Sequence, residues 1–76
     1  MDEKIPALNS KDVIKALKRA NFYVHHQTGS HLSMRHEMDK DKRVVIPIHK
    51  RDLKKGTLRN ILRQAGLTVD NFLKLL

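Results

Sequence analysis

Apolar positions along this chain change their spacing twice, from a helical period to a strand period and back, and these changes bound the elements. Val13, Ile14, Leu17 and Ala20 stand three or four residues apart with Lys11, Lys15, Lys18 and Arg19 between them, which is one apolar stripe on a helix. Asn9 or Ser10 is suited to cap its start, so the spacing predicts a helix over 10–20 that ends at Asn21. The run Phe22-Tyr23-Val24-His25-His26-Gln27 then takes the two-residue period of a strand. Thr28-Gly29 reads as a turn, and Leu32 and Met34 alternate with His31, Ser33 and Arg35 in a second, antiparallel strand.

A charged stretch, Glu37 to Lys42, suits an exposed hairpin loop before a third strand over 43–49. Pro47 lacks a donor for a ladder and belongs at an edge or at the strand's end. After Lys50-Arg51-Asp52-Leu53-Lys54-Lys55-Gly56-Thr57, the stripe Leu58, Ile61, Leu62 and Ala65 forms a second helix with Gly66 as its C-terminal cap. Thr68 caps a short last helix carrying Val69, Phe72, Leu73 and Leu76.

Three short strands bury one face only if helices cover it, so the expected architecture is α+β, α-β-β-β-α(-α), with a three-stranded antiparallel sheet and the helices on one side. No linker or repeat divides the chain. It reads as one domain over 1–76, with residues 1–9 as a flexible N-terminal segment. The uncovered sheet face would gather Tyr23, His25, Gln27, His31, Ser33 and Arg35. His26 would point to the other face as a rim or packing residue. His36, an odd number of positions from His31, also faces away, and His49 ends the third strand.

Charge adds a partner class. Sixteen Lys and Arg against eight Asp and Glu give a formal net charge of +8, an imbalance that attracts polyanions, nucleic acid first among them. Lys40, Lys42, Arg43, Lys50, Arg51, Lys54 and Lys55 concentrate ahead of the second helix, where lysines and helix-end N–H groups can meet phosphates. A solvated basic loop, or a surface for an acidic protein, would have the same composition. There is no cysteine, which removes disulfides and thiolate metal sites and suits a reducing compartment. No histidine pair has the i, i+4 helical spacing of a zinc site, so neither metal nor other cofactor is expected. No apolar run reaches the length of a signal peptide or membrane span, and the protein is expected to be soluble and cytoplasmic.

The specific signal lies in three blocks: Gly29-Ser30-His31 opening the second strand, Val45-Ile46-Pro47-Ile48-His49 closing the third, and the ordered run from Leu53 to Leu67. With them the chain, from about Ser10 to Leu76, resembles the HicA toxins of HicA–HicB toxin–antitoxin pairs, small proteins with a double-stranded-RNA-binding-domain-like fold. That resemblance implies a metal-independent endoribonuclease acting on mRNA, with His31 as the catalytic residue and a HicB-type antitoxin that covers it. Two positions depart from the family pattern. Asn21 stands where glycine is usual, and the hairpin over 36–43 is longer and more charged; both bear on loop shape and substrate preference.

Histidine as a residue type suits such proton transfers because it titrates near neutral pH. Backbone N–H groups around Gly29 and Ser30, the Ser30 hydroxyl and nearby cations such as Arg35 are the candidate phosphate donors, and His25 a second proton carrier or positioning group. Lys50, Arg51, Lys54 and Lys55 are the candidate RNA-phosphate contacts. Read from the residues alone, Gly29 serves equally as a hairpin turn and His31 as a surface histidine. A non-catalytic RNA-binding module of the same fold is the alternative, and a protein-interaction domain the third. Tyr23 alone offers an aromatic ring to the open face, so base stacking is not expected to dominate.

Overall fold

Why the chain turns where it does is visible in a computed structural model that describes residues 5–76. Helix α1 (Ser10–Arg19) starts at a capping box: the Asn9 side chain accepts from the Asp12 N–H at 2.9 Å, and the Asp12 carboxylate accepts from the Asn9 N–H at 3.3 Å. Val13, Ala16 and Leu17 form its buried stripe. Its exit is at Asn21, whose φ of 71° lies in the left-handed region. Asparagine tolerates that conformation better than most side chains.

Strands β1 (Phe22–Thr28), β2 (His31–His36) and β3 (Arg43–Pro47) form an antiparallel sheet in the order β1-β2-β3, which makes β2 central. The first turn is Gly29-Ser30, one residue later than the expected Thr28-Gly29, because Thr28 still pairs with His31. Gly29 has φ 55° and Ser30 does not share a positive φ, as a type II′ hairpin turn requires. β3 stops at Pro47, two residues short of the expected end, although the Ile48 N–H still reaches the Ser30 carbonyl at 2.6 Å. Along the outer edge of β3, the Gln64 side chain accepts from the Val45 N–H at 2.9 Å.

Helix α2 (Lys55–Ala65) ends at Gly66, φ 71°, with the Leu67 N–H bonded to the Leu62 carbonyl at 2.9 Å, a Schellman-type stop. Helix α3 (Val69–Leu73) is capped by Thr68, whose hydroxyl accepts from the Asn71 N–H at 3.1 Å. The helices cover one sheet face. Leu32, Met34, Val44 and Ile46 point into the core against Val13, Leu17, Leu58, Ile61, Leu62 and Phe72, and burying each such side chain contributes about 1.5–3 kcal/mol. This is the expected α+β, α-β-β-β-α-α fold.

The N-terminal segment departs from expectation. Ile5 and Leu8 are buried in the core, and the Leu8 carbonyl accepts from the Leu53 N–H at 2.7 Å, so residues 5–9 are packed down rather than loose. Burial of the two larger apolar side chains holds the segment against the fold, while Pro6 and Ala7 between them stay exposed. Residues 1–4 of the expected flexible segment lie outside the described residues.

Candidate nucleic-acid interface and active site

The uncovered sheet face is set by the pairing of β1 with β2. Tyr23 pairs with Arg35 and Val24 with Met34, but the next partners are His26 with Ser33, and His25 is left without one. One extra residue in a strand is a β-bulge, and it inverts the in–out alternation beyond it. His26 and Thr28 therefore share the face of His31, Ser33 and Arg35, while Gln27 pairs with Leu32 of the core-facing set. This corrects the expected face, which held Gln27 and placed His26 on the other side; His25, expected on the open face, is the exposed extra residue of the bulge. The sequence offered no signal for it: residues 25–28 are polar in both phases, so no hydrophobic pattern fixes their register.

His31 stands at the start of the central strand, exposed, with Thr28 opposite it on β1 and Pro47 opposite it on β3. Among the described residues its ring nitrogens have no hydrogen-bond partner. Both are thus available to a ligand on the open face. The turn before it is tied down by the Ser30–Ile48 backbone bond. At Gly29 an added Cβ would meet nothing within 4 Å, so its need for glycine is conformational and the surface there is open to close approach. Arg35 is half-buried between Tyr23 and Arg43 on the same face.

His26 is not a packing residue. It is exposed, and its Nε2 lies 2.6 Å from the Thr28 hydroxyl. His36 lies apart from this face, as expected: its ring meets Phe22 edge-on at 5.0 Å, and its Nδ1 accepts from the Met38 and Asp39 N–H groups at 3.1 and 3.0 Å. That fixes its tautomer with the proton on Nε2 and makes it a builder of the second hairpin loop. His49, beyond the end of β3, donates from Nδ1 to the Arg51 carbonyl at 3.0 Å and holds the connection to α2.

That connection carries the basic residues. Lys50, Arg51, Lys54 and Lys55 are all exposed, and a shallow depression of about 430 Å³ is lined by His49, Arg51, Asp52, Lys54 and Thr57. Lys54 is the N-cap of α2 yet supplies no side-chain acceptor, and the first turn holds no acidic residue. The positive end of the helix and the lysines together favour an anion there.

The sequence model for the HicA toxin of bacterial toxin–antitoxin systems matches residues 10–67, from the first turn of α1 to just past α2. The chain belongs to the HicA toxin family. It is a toxin of a toxin–antitoxin system, which gives it an antitoxin as partner. No curated protein matches the chain. The HicA match takes in the whole sheet and both basic and histidine-bearing loops, whereas α3 lies beyond it. Among the described residues of this HicA-family chain, no helix is long and apolar enough to cross a membrane, and no three His, Cys, Asp or Glu side chains cluster as metal ligands would.

Proposed function

We propose that this HicA-family toxin is an endoribonuclease that cleaves mRNA in the cytoplasm without a metal ion, with His31 as general acid or base, and that a HicB-type antitoxin neutralises it by covering the open sheet face. The observation that carries the reading is the setting of His31: an exposed imidazole with unengaged ring nitrogens, on the central strand, directly after a two-residue glycine turn.

Cleavage would proceed by attack of the ribose 2′-hydroxyl on the adjacent phosphorus and departure of the 5′-oxygen. His31 transfers one of the two protons. The backbone N–H groups of Gly29 and Ser30 and the Ser30 hydroxyl, next to His31 in the chain, are the donors for the charge that builds on the phosphoryl oxygens, and the Arg35 guanidinium, four residues along β2 on the same face, positions the flanking RNA. Lys50, Arg51, Lys54 and Lys55 hold the flanking backbone by charge, without reading sequence. A single positioned acid or base contributes about 10²–10⁴-fold, which suits a toxin that needs only slow turnover.

The test is incubation of the wild-type chain and its His31→Ala variant with a long unstructured RNA in chelator, following end chemistry. Wild type is expected to leave 2′,3′-cyclic phosphate or 3′-phosphate ends, and His31→Ala to lose at least about 10²-fold in rate while still binding RNA. Binding without cleavage by either protein would replace this reading with an RNA-binding module of the same fold.

A further inference from the structure

Two protons must move in such a cleavage, and His31 moves one. We infer that His26 is the second proton-transfer group, with Thr28 as the residue that positions it. The inference rests on the ribonuclease reading above and goes beyond it by naming the partner of His31.

The bulge at His25 is what brings His26 onto the face of His31. His26 pairs with Ser33, two residues along β2 from His31, so the two histidines are diagonal neighbours on one sheet face, a relation that puts their backbone positions about 7–8 Å apart, within reach of long side chains. A phosphodiester laid between them has one imidazole on each side. Of the other polar residues paired across that face, Tyr23 stands opposite Arg35, four residues along β2 from His31, at the far end of the pairing; arginines such as Arg35 and Arg43 stay protonated, and serine and threonine hydroxyls are weak acids. No carboxylate lies among the residues paired across this face.

The 2.6 Å contact between His26 Nε2 and the Thr28 hydroxyl supplies the orientation. A hydroxyl both donates and accepts. With Nε2–H donating to Thr28 Oγ1, the hold persists whether or not the ring is charged, and Nδ1 is left to exchange a proton with the RNA. Thr28 in turn stands directly opposite His31, so one residue fixes His26 and borders both imidazoles.

The step balances without a co-reactant. One imidazole takes the 2′-hydroxyl proton as the 2′-oxygen bonds to phosphorus. The other, as imidazolium, gives its proton to the 5′-oxygen as the P–O5′ bond breaks. The products are a 2′,3′-cyclic phosphate and a 5′-hydroxyl, and exchange with water resets both rings.

Single-turnover pH–rate profiles of wild type, His26→Ala, His31→Ala and Thr28→Val in chelator test this, using one RNA oligonucleotide and its analogue with sulfur at the bridging 5′ position, a leaving group that needs no proton. Wild type is expected to give a two-limbed profile. His26→Ala should lose one limb and about 10²-fold at the optimum, and His31→Ala the other limb. The sulfur substrate should restore one of these two variants and not the other. Thr28→Val should keep both limbs, with the one belonging to His26 displaced. Because His26 and Thr28 are exposed, unchanged thermal melts are expected to show that folding is intact. A wild-type profile in His26→Ala, or a uniform loss of rate with both limbs kept, overturns the assignment while the ribonuclease reading stands on His31→Ala. Absence of cleavage by wild type overturns both.

Discussion

The Ser10 hydroxyl donates to the Pro47 carbonyl oxygen at 2.8 Å, joining the first turn of α1 to the last residue of β3 across 37 positions of sequence. Pro47 is the residue opposite His31, so this bond links the helical layer to the end of the sheet where the candidate site lies. Ser10 is buried and its oxygen also lies 3.4 Å from the His49 N–H. Ser10→Ala leaves a carbonyl and an N–H without that partner, and a loss of about 1–2 kcal/mol is expected. Urea unfolding measures it; a midpoint unchanged from wild type would mean that water replaces the hydroxyl at no cost.

Gly29 separates conformational from steric demand. Its φ is 55°, yet a Cβ there meets no atom within 4 Å. Gly29→Ala is therefore expected to destabilise by about 1–2 kcal/mol through backbone strain alone, and Gly29→Asn by less, since asparagine enters the left-handed region more easily. Equal losses for the two variants, compared by thermal unfolding, would show that something other than φ is at stake.

Lys54 and Lys55 stand at a helix start that has no acidic residue in its first turn. Replacing both by Gln is expected to weaken RNA binding at every sequence tested. It should flatten the dependence of log K on log salt by about 0.7–0.9 for each phosphate that the lysines no longer neutralise. A salt series by fluorescence anisotropy reads the slope directly. An unchanged slope would place the RNA backbone elsewhere.

Phe72 lies in α3, outside the span of the family match, and is fully buried. The last helix is thus part of the core. Phe72→Ala is expected to cost about 3–5 kcal/mol, a large share of what a small domain has to spare, and to leave the chain partly unfolded at 37 °C. Circular dichroism with a thermal melt checks this, and a melt within a few degrees of wild type would show α3 to be peripheral.

Much of the fold is legible in the residues because local rules and burial agree. The Asn9–Asp12 box, the Gly66 stop and the Thr68 cap each satisfy helix-end groups with side chains or backbone only a few positions away. Leu32, Met34, Val44 and Ile46 fix the phase of β2 and β3, because moving either strand by one residue would put apolar side chains in water. His31 on the open face follows from that same alternation. The packed segment from Ile5 to Asn9 is less legible, since Ile5-Pro6-Ala7-Leu8 is too short, and broken by a proline, to show the period of a helix or strand.

What the sequence by itself determined, then, was the order and type of the elements, the buried face of the central strand, and the exposure of His31 beside its glycine turn. Only the tertiary structure decided which histidine accompanies it. His25, His26, Gln27 and Thr28 are polar on either face, so burial gives their register no preference, and the pairing of β1 against a β2 already held by the core leaves His25 over as a bulge. That single unpaired residue turns His26 and Thr28 toward His31, and no local pattern of side chains records it.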